Sequence, residues 1–201
     1  MREGCSMTAT LTRPAGIASG LPDIGAYFTC LASYNNGRLH GAWIDLGEID
    51  SIDELQECIS WILATSPEPG AEEWAMHDHS GLPNCLSRSE WPDLEALASF
   101  GSELAAISGD PEEIAEAYRL LCDDLGEVVT ASDFEERHCG KHDSGEDFAA
   151  ELAEETGSIP EGAAWPLSCI CWRQAWRELE LNGDYRAERS SSGGVFIFRV
   201  C

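Results

Sequence analysis

Basic residues are what this chain has least of. Its 201 residues hold 12 Lys and Arg against 37 Asp and Glu, a formal charge of −25, and Lys141 is the only lysine. A field of that sign repels nucleic acid, so a nucleic-acid partner is not expected, and it attracts basic surfaces, including grooves that hold DNA. Long apolar runs are missing as well. No stretch approaches the roughly 18 residues of a membrane span, and residues 1–20 lack the continuous apolar core of a signal peptide, so no membrane partner is expected and the cytoplasm is the expected location. The common signatures of catalysis are absent: there is no nucleophile elbow, P-loop, HExxH or Rossmann fingerprint, and no EF-hand loop. No internal repeat is visible.

What remains is a foldable, acidic chain. Apolar residues make up 43% and aromatics 8%, with seven tryptophans, which is enough for packed cores and too much for a disordered acidic tail. The acids stand singly and in pairs between apolar residues, as on the surface of an ordered body. Their distribution is uneven: the net charge is −2 over 1–50, −9 over 51–100, −11 over 101–150 and −3 over 151–201. Nine cysteines, an odd number without framework spacing, read as reduced small hydrophobes. Cys169-x-Cys171 is too tight for a redox CxxC. His138-Cys139-x-x-His142 and His77-x-His79 contain metal-ligating residue types, but no recurring zinc spacing joins them, so neither metal nor cofactor is expected.

Residues 1–22 mix Gly, Ser, Thr and Pro without periodicity and are expected to form a flexible leader, with order beginning near Ile24. Over 23–91 the pattern is β-β-α-β. Strands are expected at Ala26–Leu31, Leu39–Leu46 and Trp74–Asp78, with a turn at Tyr34–Gly37. Ser51 and Glu54 form a capping box opening a helix whose apolar face is Ile52, Leu55, Ile59, Ile62 and Leu63. Over 92–131 the spacing is helical. Leu94, Leu97, Phe100 and Leu104 make one stripe, and Ile114, Ala117, Tyr118, Leu121 and Leu125 make a second behind an Asp110 cap and Pro111. Over 132–201 a helix capped by Ser144, a helix from Cys171 to Leu181 and a strand at Gly194–Val200 complete a second mixed unit. The expected fold class is α+β, with three small consecutive domains.

Specific sequence blocks add to this reading. They are Ala26-Tyr-Phe-Thr-Cys-Leu-Ala-Ser-Tyr-Asn-Asn-Gly-Arg-Leu-His-Gly-Ala-Trp-Ile-Asp45, Glu72-Glu-Trp-Ala-Met-His-Asp78, Gly140-Lys-His-Asp-Ser-Gly-Glu-Asp-Phe-Ala149, Glu154-Glu-Thr-Gly157 and Leu181-Asn-Gly-Asp-Tyr185. In these the chain resembles the ArdA antirestriction proteins of mobile elements, over roughly residues 24–201. The resemblance implies an elongated homodimer of three-domain chains. Its acids would follow the phosphates of bent B-form DNA and occupy the DNA-binding groove of type I restriction-modification enzymes. It also implies an antirestriction motif near the dimer interface, carried here by Cys139, Gly140, His142, Asp143, Ser144 and Phe148. The chain departs from the family in its leader, in His142 where an aromatic is usual, and in the basic pair Arg137-His138.

The charge is of the right order for such mimicry. At one charge per ~1.7 Å of duplex axis, this chain matches about 43 Å, or about 12 base pairs. The acids expected to face the partner are Glu95, Glu103, Glu112, Glu113, Glu116, Asp123, Asp124, Glu127, Asp133, Glu135, Glu136, Glu146, Asp147, Glu151, Glu154 and Glu155, with Glu112, Glu116 and Asp123 recurring on successive turns of one helix. No catalytic residue is needed. Two other readings stand beside this one. An acidic adaptor for another basic DNA-binding protein uses the same field. A metal-dependent enzyme would draw on His40, His77, His79, Asp45 and Asp78. Salt adaptation alone would explain many acids and few lysines, but not the block at 26–45.

Overall fold

The computed structural model describes residues 11–159, 162, 164–165 and 169–200. By contact the chain groups into two compact units, residues 1–106 with 126–128 and residues 107–125 with 129–201. The helical stretch expected over 92–131 is shared between them. The α+β class holds, with small antiparallel sheets and helices in both units. Among the described residues no helix is long and apolar enough to cross a membrane.

The first unit is built on a three-stranded sheet in the order β2-β1-β3, with β1 at Gly25–Cys30, β2 at Gly41–Asp45 and β3 at Trp74–Ser80. Both neighbours run antiparallel to β1. The expected turn after β1 is a short helix, α1 at Leu31–Asn35, before the chain reverses at Asn36 and Gly37. Helix α2, Ile52–Ala64, buries Leu55, Cys58, Ile59 and Ile62. At its start the Glu54 N–H donates to Ser51 Oγ, as a capping box requires, but the Glu54 carboxylate takes the N–H of Asp50 at 2.8 Å rather than that of Ser51. Two further helices follow, α3 at Asn84–Ser87 and α4 at Leu94–Ala106, whose Leu97 and Phe100 are fully buried.

The leader departs from expectation. Residues 1–10, with Cys5, lie outside the described residues, as does Cys201, but Gly16–Ala18 of the leader pack on the sheet. Ile17 forms a bridge with Ile44 on the outer side of β2 and is only 6% exposed. The Ala18 N–H donates to Trp43 O and the Asp45 N–H to Gly16 O, each at 2.9 Å. The cause is non-local: the bare edge of β2 offers unpaired backbone groups, and this short segment satisfies them.

In the second unit, helix α5 at Pro111–Leu125 and helix α6 at Ala131–Arg137 lead into β4, His138–His142. Helix α7 at Gly145–Glu155 and helix α8 at Trp172–Asn182 precede the hairpin of β5, Tyr185–Arg189, and β6, Val195–Arg199. The sheet order is β4-β6-β5, antiparallel throughout. Alternation along β6 divides the core. Ile197 joins Phe148, Ala149 and Trp176 beneath α7 and α8, while Phe198 on the opposite face meets Phe134, which meets Tyr118 of α5. Glycine is required by geometry at several positions, Gly140 and Gly145 among them. Gly140 sits at φ +95° where the β4–β6 register shifts, and a Cβ on Gly145 would lie 2.3 Å from the Trp176 indole.

Ile17→Ala is expected to lower the unfolding free energy by about 2 kcal/mol, as for other buried aliphatic truncations, measured by urea titration. A change within about 0.5 kcal/mol, typical of surface sites, would mean that the leader contributes nothing to the fold.

Candidate partner-binding acidic surface

The acids of α5 follow from local rules. Asp110 caps the helix, its Oδ1 accepting the Glu113 N–H at 3.1 Å, and Glu112 and Glu113 place negative charge in the first turn, where the helix dipole favours it. Asp110, Glu112, Glu113 and Glu116 line one concavity of about 560 Å³ together with Arg119, Ser191 and Ser192.

Not all of these carboxylates point their charge outward. Glu116 accepts the Ser191 N–H at 2.6 Å and the Ser190 hydroxyl at 2.8 Å, fastening the β5–β6 loop to α5. Burial alone would raise its pKa; the Ser191 N–H, the Ser190 and Ser191 side chains and Arg119 outweigh that and hold the carboxyl below its ordinary value. Glu113 pairs with Lys141 Nζ at 2.8 Å, and the same ammonium donates to Ser192 Oγ. Asp123 pairs with Arg119 one turn away, and Asp124 pairs with Arg186. The row Glu112, Glu116, Asp123 expected to face a partner therefore keeps only Glu112 outward.

The remaining expected acids divide in the same way. Asp133 and Asp147 accept from the cap hydroxyls of Thr130 and Ser144 at the starts of α6 and α7. Glu151 pairs with His142 Nδ1 at 3.2 Å. Among the described residues, Glu95, Glu112, Glu127, Glu135, Glu136, Glu146, Glu154 and Glu155 make no ion pair, and all of them except Glu146 are exposed. Glu95 and Glu103 lie on α4 in the first unit, and Glu103 is partly buried.

Of the motif residues, Phe148 is buried, Cys139, Gly140, His142 and Ser144 are partly buried, and Asp143 is exposed. Phe148 is buried against Trp176 and Tyr185. Ser144 caps α7, accepting the Asp147 N–H at 3.2 Å. Cys139 Sγ donates to Arg137 O at 3.4 Å. His142, where an aromatic is usual, still lies edge-on to Phe148 with its Nε2 at Cys139 O. Among the described residues no three His, Cys, Asp or Glu side chains gather as metal ligands. On the first sheet His40 is held by Ile62 O at 2.8 Å, while His77 is exposed and edge-on to Tyr34. The partners that sequence reasoning missed are Arg119, Lys141, Arg186 and Ser190–Ser192; only the Ser-rich turn was visible as a signal.

A family model described as antirestriction protein (ArdA) matches residues 26–191. The chain belongs to the ArdA family. It is thus an antirestriction protein. No curated protein matches the chain. The ArdA match begins beyond the docked leader and ends inside the loop that Glu116 holds, so the acids of the concavity and the 139–148 motif lie within it, and Ser192 and the leader lie outside.

His138 is expected to give this ArdA chain a pH response. Its ring stacks on Phe134 at 4.7 Å and lies against Phe198 and Phe196, with Nε2 buried and lacking a protein acceptor. Burial, then the nearby His142, push its pKa below the ordinary 6.5, against a smaller opposing pull from Glu113. The unfolded chain therefore binds this proton at a higher pH than the folded one, and the stability that His138 contributes should fall as pH drops below about 6.5. Thermal midpoints measured from pH 7.5 downward should show this decline, and His138→Phe should flatten it; an unchanged slope in the variant would assign the response elsewhere. Glu116→Gln is expected to lose about 1 kcal/mol of stability in urea titration, and wild-type stability would show that the carboxylate does not secure the loop.

Proposed function

We propose that this antirestriction protein acts as a DNA mimic, occupying the DNA-binding groove of a type I restriction-modification enzyme as a homodimer and excluding DNA by competition. The observation that carries this reading is the set of exposed, unpaired carboxylates left after the internal pairs are removed: Glu112 on α5, Glu135 and Glu136 on α6, Glu154 and Glu155 on α7. These stand on rigid helices, so their charge is presented without an ordering cost at binding. A basic groove meeting them releases the counterions held on both surfaces, as it does on binding duplex. Two copies double the field and bring its reach to about 25 base pairs of equivalent charge. A protein of this kind, carried by a mobile element, lets the element enter a new host uncut.

The carboxylates that pair internally have a different role. Glu113, Glu116, Asp123, Asp124 and Glu151 hold loops, helices and strands in place, and their substitution acts through stability. The partner-facing role falls on the exposed group, and it is shared, because the attraction is a sum over many charges.

Five reversals together, Glu112, Glu135, Glu136, Glu154 and Glu155 each to Lys, are expected to abolish inhibition of a type I enzyme in a DNA-cleavage assay with folding retained by circular dichroism. A single Glu135→Gln should weaken inhibition by no more than about fivefold, the scale of one exposed charge pair. Complete loss from that one neutralisation would contradict the shared-charge mechanism.

A further inference from the structure

The leader does more than cover the edge of β2. Arg13, Ile17 and Ala18–Gly20 form one wall of a cavity of about 310 Å³, whose other walls include Tyr27, Trp43 and Trp61. That volume is at the small end of the range for ligand sites. Thirteen residues line the cavity and none is Asp or Glu, although acids are 37 of the 201 residues of the chain. Its formal charge comes from Arg13. The guanidinium is fixed in place: Nη2 donates to Ile17 O at 2.9 Å and to Ala18 O at 2.7 Å. With Nη2 taken up by the two carbonyls, Nη1 is left to donate a charge-assisted hydrogen bond to a single carboxylate oxygen. His40 is held in position through Nε2 at Ile62 O.

The aromatic walls limit what fits beside that charge. Tyr27 and Trp43 touch with ring centroids 5.6 Å apart, and aromatic faces of this kind favour another flat ring. The Trp61 indole N–H is buried without a protein acceptor, and an indole nitrogen can only donate.

We infer that this cavity is a binding site for a small aromatic carboxylate, its ring against Tyr27, Trp43 and Trp61 and its carboxylate on Arg13. The inference does not rest on the DNA-mimic reading, because no partner-facing acid takes part. The test is titration of the full chain with phenylacetate, phenylethanol and cyclohexylacetate, read from the indole N–H resonances of Trp43 and Trp61. Phenylacetate should move both signals saturably and bind at least about tenfold more tightly than either of the others, about 1.4 kcal/mol. Arg13→Gln should reduce phenylacetate to the level of phenylethanol, and Trp61→Phe should weaken phenylacetate while leaving the preference for acid over alcohol. Absence of saturable shifts, or equal binding of acid and alcohol to the native chain, would overturn the site. Because Arg13 also holds leader carbonyls, the acid–alcohol comparison on the native chain decides the matter if the variant loses its fold.

Discussion

Like-charge repulsion is the constraint under which this whole chain folds. With 37 carboxylates and 12 cations, ion pairing cannot neutralise the surface, and backbone dipoles take over much of that task. Acids stand in the first turn of α2, α4, α5, α6 and α7, where the exposed N–H groups and the helix dipole favour them. Ser51, Asp93, Asp110, Thr130 and Ser144 cap these five starts with side-chain oxygens. The opposite helix ends lack this help: α2, α4, α5, α7 and α8 have no basic residue in the last turn. The fold tolerates its charge by placing acids where helices begin.

The few cations are concentrated where carboxylates crowd most. Lys141, Arg119 and Arg186 each take one acid of α5, and Glu116 of the same helix is held by serine groups in place of a cation. These contacts join α5 to β4, to the β5–β6 loop and to β5 within the second unit. The consequence for function is a division among the acids. Those that bind inward shape the body, and those on the outer faces of α6 and α7 keep their charge exposed to solvent. An outward field of this kind is screened by salt over about 10 Å at 0.1 M, so its strength is set by ionic conditions as much as by residues.

What could be read from the sequence was the local chemistry. The Ser51, Asp110 and Ser144 caps, the helix ending at Asn182-Gly183 with Gly183 left-handed, and the closing strand all depend on residues a few positions apart. What could not be read depends on distant pairing. Strand β4 is the polar run His138-Cys-Gly-Lys-His142 and acquires strand geometry only by pairing with β6, as in His142 with Val195. Strand β5, Tyr-Arg-Ala-Glu-Arg, is hidden in the same way. Ile17 lies in a segment without periodicity, and its burial comes from the β2 edge it meets. For the candidate site, exposure was legible for Glu112, Glu135, Glu136, Glu154 and Glu155. The inward role of Glu116 was not, because the serines that hold it lie more than 70 residues further along the chain.

The most direct test of the central claim, that distributed carboxylate charge stands in for duplex DNA, is displacement of a labelled duplex from a purified type I restriction-modification enzyme at two salt concentrations. The account predicts displacement near stoichiometric amounts at low salt, weakening steeply as salt rises because bound counterions are released on association. Displacement that is insensitive to salt, or none at low salt from several such enzymes, would contradict it.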